Sequence, residues 1–125
     1  MARKKVGFQD VLELGIKLEN VTGSTEDSVP WLKMRGKLMA CQAINKSAEP
    51  DTLMARVGFE ERDELTAGDP DVYYLTGHYE SHPVVLVRLS RIRRDALEGL
   101  LRMAWRYMKE AGSGTGKKQR SRTAG

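Results

Sequence analysis

The chain has 125 residues, 40% of them hydrophobic and 30% charged, with one cysteine and a formal net charge of +4. That length favours one domain with enough core to fold without metal or disulfide staples, and the lone Cys41 excludes an intrachain disulfide, which fits a reducing compartment. No run approaches the roughly 18 apolar residues of a membrane helix and no apolar signal segment follows the basic Met1–Lys5, so the expectation is a cytoplasmic protein with no membrane partner.

The positive charge is unevenly spread. Arg3, Lys4 and Lys5 lie in the N-terminal segment 1–7, and Lys117, Lys118, Arg120 and Arg122 lie in the tail 112–125, where there is no acid. Setting these seven aside leaves 14 basic residues against all 17 acids, so the body carries a net charge of −3. Basicity is a property of the appendages and of local patches, not of the domain at large.

In chain order, Phe8, Val11, Leu12, Gly15 and Leu18 fall on one stripe and predict a helix over Phe8–Leu18. Asp10 and Glu13 sit early and Lys17 late, as the helix dipole favours. Asn20–Ser28 is polar and turn-rich and predicts no element. Pro30–Arg35 alternates, with Leu32 and Met34 on one face and Lys33 and Arg35 on the other. Gly36 supplies a tight turn, and Lys37–Ile44 returns as the second strand of a hairpin. That strand is apolar on both faces, with Leu38, Ala40 and Ile44 on one and Met39, Cys41 and Ala43 on the other, which predicts a central strand needing cover on both sides.

Asn45–Asp51 predicts a loop, Thr52–Val57 a third strand, and Phe59–Thr66 a short acidic helix stopped by Gly68. Val72–Leu75 and Val84–Leu89 predict two more strands, joined by Thr76–Pro83. Asp95–Glu110 predicts the strongest helix: Leu100, Leu101, Ala104 and Met108 lie within about 60° of Leu97 at 100° per residue. Beyond Ala111, Gly-Ser-Gly-Thr-Gly and the basic end predict a flexible tail. The expected domain is 8–111: an α+β fold with a single, mainly antiparallel sheet of about five strands and helices packed on one face.

Asp69-Pro-Asp-Val-Tyr-Tyr-Leu-Thr-Gly-His-Tyr-Glu-Ser-His-Pro-Val-Val-Leu-Val-Arg-Leu, followed by a helix holding Leu97, Leu100, Leu101 and Ala104-Trp105-Arg106, resembles the MmcQ/YjbR family. Pro30-Trp31, Arg35-Gly36-Lys37-Leu38 and Glu60-Glu61-Arg62-Asp63-Glu64-Leu65 resemble its first hairpin and its short acidic helix, so the resemblance spans roughly Phe8 to Met108. It implies a bacterial protein with a compact fold of the frataxin-like, double-wing kind and a DNA-binding role. The family supplies no established catalytic residue to carry over. Many members lead into the last helix with Asp or Pro, where this chain has Arg93-Arg94, which weakens the expected cap and adds positive charge.

Read residue by residue, Arg88–Lys109 is the densest basic segment of the body, with Arg88, Arg91, Arg93, Arg94, Arg102, Arg106 and Lys109 against Asp95 and Glu98. Basic side chains at a strand–helix junction suit a phosphate backbone, with Lys117 and Lys118 of the tail adding non-specific contacts and Trp31, Tyr73, Tyr74 or Tyr79 stacking on bases. Surface charge paired with the domain's own acids is the plain alternative. His78 and His82 flank a turn rather than a helix face, and no further ligand lies nearby, so no metal site is expected. His78 and Tyr79 are candidate ligand contacts from a loop. Cys41, mid-strand, reads as a buried structural thiol. The acids of Phe59–Thr66 point to several sides and read as a solvated face. No catalytic site and no cofactor are expected. The functional expectation is a binding module, weakly and non-specifically DNA-binding through the Arg88–Lys109 junction. The alternatives are a homodimerisation or protein-interaction module using the two-faced strand, or a small-molecule-binding domain using the His78–Tyr79 loop.

Overall fold

The computed structural model describes residues 6–24 and 29–112; the basic residues of the head, and Lys117 and Lys118 of the tail, lie outside them. The first apolar stripe forms α1 (Phe8–Gly15). Asp10 Oδ2 accepts the Gly7 N–H at 2.9 Å, satisfying an otherwise free donor at the helix start. The expected extension to Leu18 is replaced by a turn, in which the Leu18 N–H reaches Gly15 O and Asn20 takes a φ of 67°.

That turn leads into a strand the sequence pattern does not announce. β1 (Val21–Ser24) pairs antiparallel with β2 (Trp31–Met34), so the sheet has six strands, not about five. β1 is short, polar and interrupted by Gly23, and only its partner gives it a period. Gly23 is required there: a Cβ would stand 2.9 Å from Leu12 Cδ2 and 3.0 Å from Leu32 Cδ2.

Arg35, expected at the end of the strand, instead takes a φ of 52° and joins Gly36 (φ 82°) in a two-residue turn that leads the hairpin into β3 (Lys37–Gln42), as the left-handed pair of a hairpin turn requires. The alternation expected in β3 breaks once. Leu32 pairs with Ala40 and Lys33 with Leu38, so Met39 is the extra residue of a bulge. Met39 and Ala40 are both fully buried. Leu38 and Cys41 are left together on the opposite face, and Ile44 falls outside the strand and is exposed.

β4 (Thr52–Arg56), α2 (Phe59–Gly68), β5 (Tyr73–Tyr74), β6 (Val84–Arg88) and α3 (Arg94–Gly112) follow. The strand order is β1-β2-β3-β4-β6-β5, with every neighbour antiparallel. α1 and α3 pack on one face of the sheet. There Leu53, Val85 and Val87 meet Leu97, Leu100, Leu101 and Ala104, all at 2% exposure or less. Each such leucine contributes about 1.5–3 kcal/mol by leaving water, and this layer is the main store of stability. α2 has no buried residue of its own; it lies beside β5 and β6 with Leu65 against the core.

The second face has a smaller cluster. Tyr79, Val84 and Leu86 are buried there, with Ala43, Ala48, Met54, Tyr74 and Leu75 packed around them. The cover comes from the loops either side of β4 and β6, not from a helix. It extends over β4, β6 and β5 and leaves β1, β2 and β3 with a helix-free surface.

Candidate functional site

Arg88 leaves β6 on the helix-free face, since it alternates with the core residue Val87. It is not a free cation. Nε and Nη2 donate to Glu49 Oε1 and Oε2 at 2.9 and 2.8 Å, and Nη1 donates to the Pro70 and Asp71 carbonyls at 3.0 Å each. Its guanidinium lies 4.2 Å from the Tyr74 ring centre. The Tyr74 hydroxyl in turn accepts the Glu49 N–H at 2.8 Å and shares a 2.6 Å hydrogen bond with Thr52, which is fully buried. The hydrogen bond from Arg88 holds the Glu49 carboxyl below the usual carboxylate range, and the same bond pushes Arg88 further up. Arg88 is therefore a staple joining the 43–51 loop, β5 and β6.

The other junction cations go elsewhere. Arg94 reaches back to α1, with Nη2 at 3.1 Å from Glu13 Oε1 and Nε at 3.5 Å from Asp10 Oδ1. Arg93 pairs with Asp95 at 3.5 Å and Arg102 with Glu98 at 3.3 Å. Lys109 sits 4.7 Å over the Trp105 ring, whose indole N–H donates to Glu19 O at 2.9 Å. Arg91 and Arg106 are exposed and make no ion pair among the described residues. Arg102, Arg106 and Lys109 fall within about 60° of one another on the solvent side of α3, so the sheet separates them from Arg88. The seven cations are spread around the molecule and do not converge.

The helix-free face carries a different set. Trp31 and Lys33 on β2, Leu38 and Cys41 on β3, and Met54 and Arg56 on β4 share it, all of them half-buried. Lys33 Nζ lies 4.4 Å from the Trp31 ring centre. No carboxylate stands on this face in β2, β3 or β4. Arg56 is the outlying observation. Its Nε is buried without a hydrogen-bond partner, and it makes no ion pair to a described residue. A buried guanidinium nitrogen left unpaired is costly.

Two concavities meet at Arg56. One, about 230 Å³, is walled by Leu38, Met54, Pro83 and Val84 and bordered by Arg56, His78, Tyr79 and His82. The other, about 410 Å³, adds Lys37, Tyr107, Met108 and Ala111 to Leu38 and Arg56. Neither lining contains a carboxylate. A third hollow between α1 and α3 mixes Lys17 and Arg102 with Glu19 and Glu98.

The 76–83 loop that forms one rim is well anchored. Tyr79 is buried beneath it, the His82 N–H bonds Tyr79 O at 3.1 Å, and Arg62 Nη1 donates to the Glu80 and His82 carbonyls at 2.9 and 3.1 Å. His78 stands edge-on to Tyr79, ring centres 4.8 Å apart, and both histidines are exposed. Among the described residues no group of three or more His, Cys, Asp or Glu gathers as metal ligands would. Burial pushes the Cys41 thiol up, partly opposed by the charge of Arg56.

Sequence reasoning singled out His78 and Tyr79, which border the smaller concavity, and did not group Arg56 with Lys33. The signal was present: with Leu53 and Ala55 inward, strand alternation turns Arg56 to the other face, where Lys33 already points.

No family model matches the chain. Three curated relatives are each 46% identical over 41 residues: the uncharacterized proteins Rv2570 and MT2646 of Mycobacterium tuberculosis and Mb2600 of Mycobacterium bovis. The match covers 33% of this chain and 32% of each relative, so it spans about a third of their length. Among solved structures, Deinococcus radiodurans protein DR2400, with the family-model domain DUF419, superposes with a TM-score of 0.68 at 19% identity, covering 90% of this chain and 85% of that one. No helix among the described residues is long and apolar enough to cross a membrane. The chain has the α+β fold of that DUF419 protein.

Proposed function

We propose that this chain is a non-catalytic binding module for nucleic acid, and that it engages single strands through the helix-free face of β1–β4. The observation that carries the reading is Arg56, half-buried with an unpartnered Nε, at the meeting point of two concavities free of carboxylate. Lys33 extends the positive charge along the same face, Lys37 borders the second concavity on the α3 side, and Trp31 offers an aromatic surface. Phosphates reward such a row by counterion release, and bases stack on aromatic side chains whatever their sequence. An open sheet face suits a splayed strand. Membership of the MmcQ/YjbR family and a cytoplasmic location fit this reading; the resemblance over Phe8–Met108 and the shared DUF419 fold support the first.

The test is fluorescence anisotropy with a labelled single-stranded oligonucleotide over a salt series. Replacing Lys33, Lys37 and Arg56 with Ala should flatten the slope of log K against log salt by about 2, at roughly 0.7 per lost contact. Replacing Arg91, Arg93 and Arg94 should leave that slope nearly unchanged. No binding at low salt removes the reading. The reverse result returns the site to the Arg88–Lys109 junction.

A second reading has its own observation. Trp31, Leu38 and Cys41 form a half-buried apolar strip outside the loop-covered cluster, and a second copy would cover it. Sedimentation at micromolar concentration decides: a monomer throughout excludes homodimerisation as the role of this face.

A further inference from the structure

The smaller concavity has more chemistry than backbone tracking requires. Three residues that can donate hydrogen bonds border it: Arg56 at the end of β4, and His78 and His82 at the two shoulders of the 76–83 loop. Planar guanidinium donors favour oxoanions, and several donor groups at one cleft suit a tetrahedral anion with several oxygens better than a flat carboxylate. The remaining wall is apolar, formed by Leu38, Met54, Pro83 and Val84. It would accept the organic part of a ligand whose charge sits at one end. The rim is pre-formed, because Tyr79 is buried under the loop and Arg62 holds its Glu80 and His82 carbonyls. A pre-formed rim lowers the ordering cost of binding.

We propose that the Arg56–His78–His82 cleft is a phosphomonoester subsite, which captures the terminal phosphate of a nucleic-acid strand or of a free nucleotide. The strand-end form rests on the reading above; the nucleotide form does not. Arg56 closes the phosphate end, the two histidines donate from the loop, and the sugar or base lies on the Leu38–Met54–Pro83 wall.

The experiment uses the full chain and calorimetric titration with three probes: a 5′-phosphorylated oligonucleotide, the same oligonucleotide with a 5′-hydroxyl, and adenosine 5′-monophosphate. The phosphorylated strand should bind about tenfold tighter than the hydroxyl strand, the scale of one charge-assisted hydrogen-bond set. Arg56→Gln should erase that preference. The double variant His78→Gln with His82→Gln should reduce it severalfold. That variant changes only exposed side chains and stays folded even if Arg56→Gln does not. Equal binding of the two strands by the native chain, or a preference undiminished in the double variant, overturns the subsite while leaving strand binding intact. Binding of the mononucleotide with no strand binding supports the subsite, makes a free nucleotide the ligand, and removes the strand reading. Failure of all three probes removes both.

Discussion

Arg88 is the residue on which the charge pattern of the sequence and the geometry disagree most directly. As a phosphate contact, its loss would weaken nucleic-acid binding and leave the fold alone. As the staple seen here, its loss would loosen the 43–51 loop, β5 and β6 together. Arg88→Ala removes two hydrogen bonds to the Pro70 and Asp71 carbonyls and the stacking on Tyr74. At about 0.5–1.5 kcal/mol for each hydrogen bond and about 0.5–1 kcal/mol for the cation–π contact, the cost is about 2–3 kcal/mol. The pair with Glu49 is half-exposed and screened, so it adds little to that figure. For a domain of this size the loss lowers Tm by roughly 6–12 °C. Urea denaturation and a thermal scan measure it, with Arg88→Lys as a partial rescue that keeps the charge but not the planar fork. A variant with unchanged Tm and a salt slope reduced by about 0.7 would refute the staple and restore Arg88 as a nucleic-acid contact.

Gly15→Ala should destabilise by about 1–3 kcal/mol despite better helix propensity, because its Cβ would overlap the methyl groups of the fully buried Leu32; a urea midpoint equal to the native one would show that α1 can lift off β2 freely. Glu49 titrates below the usual carboxylate range because of Arg88, so its contribution is present above the ordinary carboxylate range and is lost as pH falls through the lowered value. The Tm difference between the native chain and Glu49→Gln should therefore shrink towards zero in acid, and a difference that grows there would contradict the pair. Cys41 has its thiolate disfavoured by burial and partly favoured by Arg56, so iodoacetamide should modify it several-fold more slowly in the folded chain than in urea. Arg56→Ala should slow the folded-state reaction further, and an unchanged rate would place that charge too far away to matter.

What could be read from the sequence was local. The stripe from Leu97 to Met108 makes α3, and Gly36 marks the hairpin turn, because helix period and turn chemistry depend on near neighbours. β1 escaped notice because Val-Thr-Gly-Ser has no period of its own and becomes a strand only beside β2. The bulge at Met39 escaped notice because alternation has no marker for an extra residue; its effect was to bury Met39 beside Ala40 and turn Leu38 outward with Cys41. For the site, charge density along the chain picked out Arg88 and could not register Glu49, 39 residues earlier, which occupies it. Density likewise passed over Arg56, a single cation in an apolar strand, whose distinction is a buried Nε without a hydrogen-bond partner at the border of two concavities. Tyr79 was singled out as a ligand contact, yet most of its surface is spent anchoring the loop.

The placement of the cleft follows from how the second face is covered. A six-stranded sheet with helices on one side must cover its other side or leave it wet. Here the cover is loop, and loop reaches only the strands that it connects: 43–51 lies between β3 and β4, and 76–83 between β5 and β6. β4, β6 and β5 are therefore roofed, and the roof is held down by buried Tyr79 at one point and by the Thr52–Tyr74–Glu49–Arg88 network at another. β1 and β2 lie beyond its reach, and β3 is met only at its Ala43 end. A roof that ends partway across a sheet leaves an inner corner, and the side chains at that corner are half in water and half against apolar wall. Arg56 stands there, on the last roofed strand, next to Leu38 on the first open one. Its stem can pack while its head stays available. On the proposed reading, the cation best placed to hold an anion is thus the one at the edge of the loop cover, while in the densest run of arginines Arg88 and Arg94 are occupied in tying separate elements of the fold together.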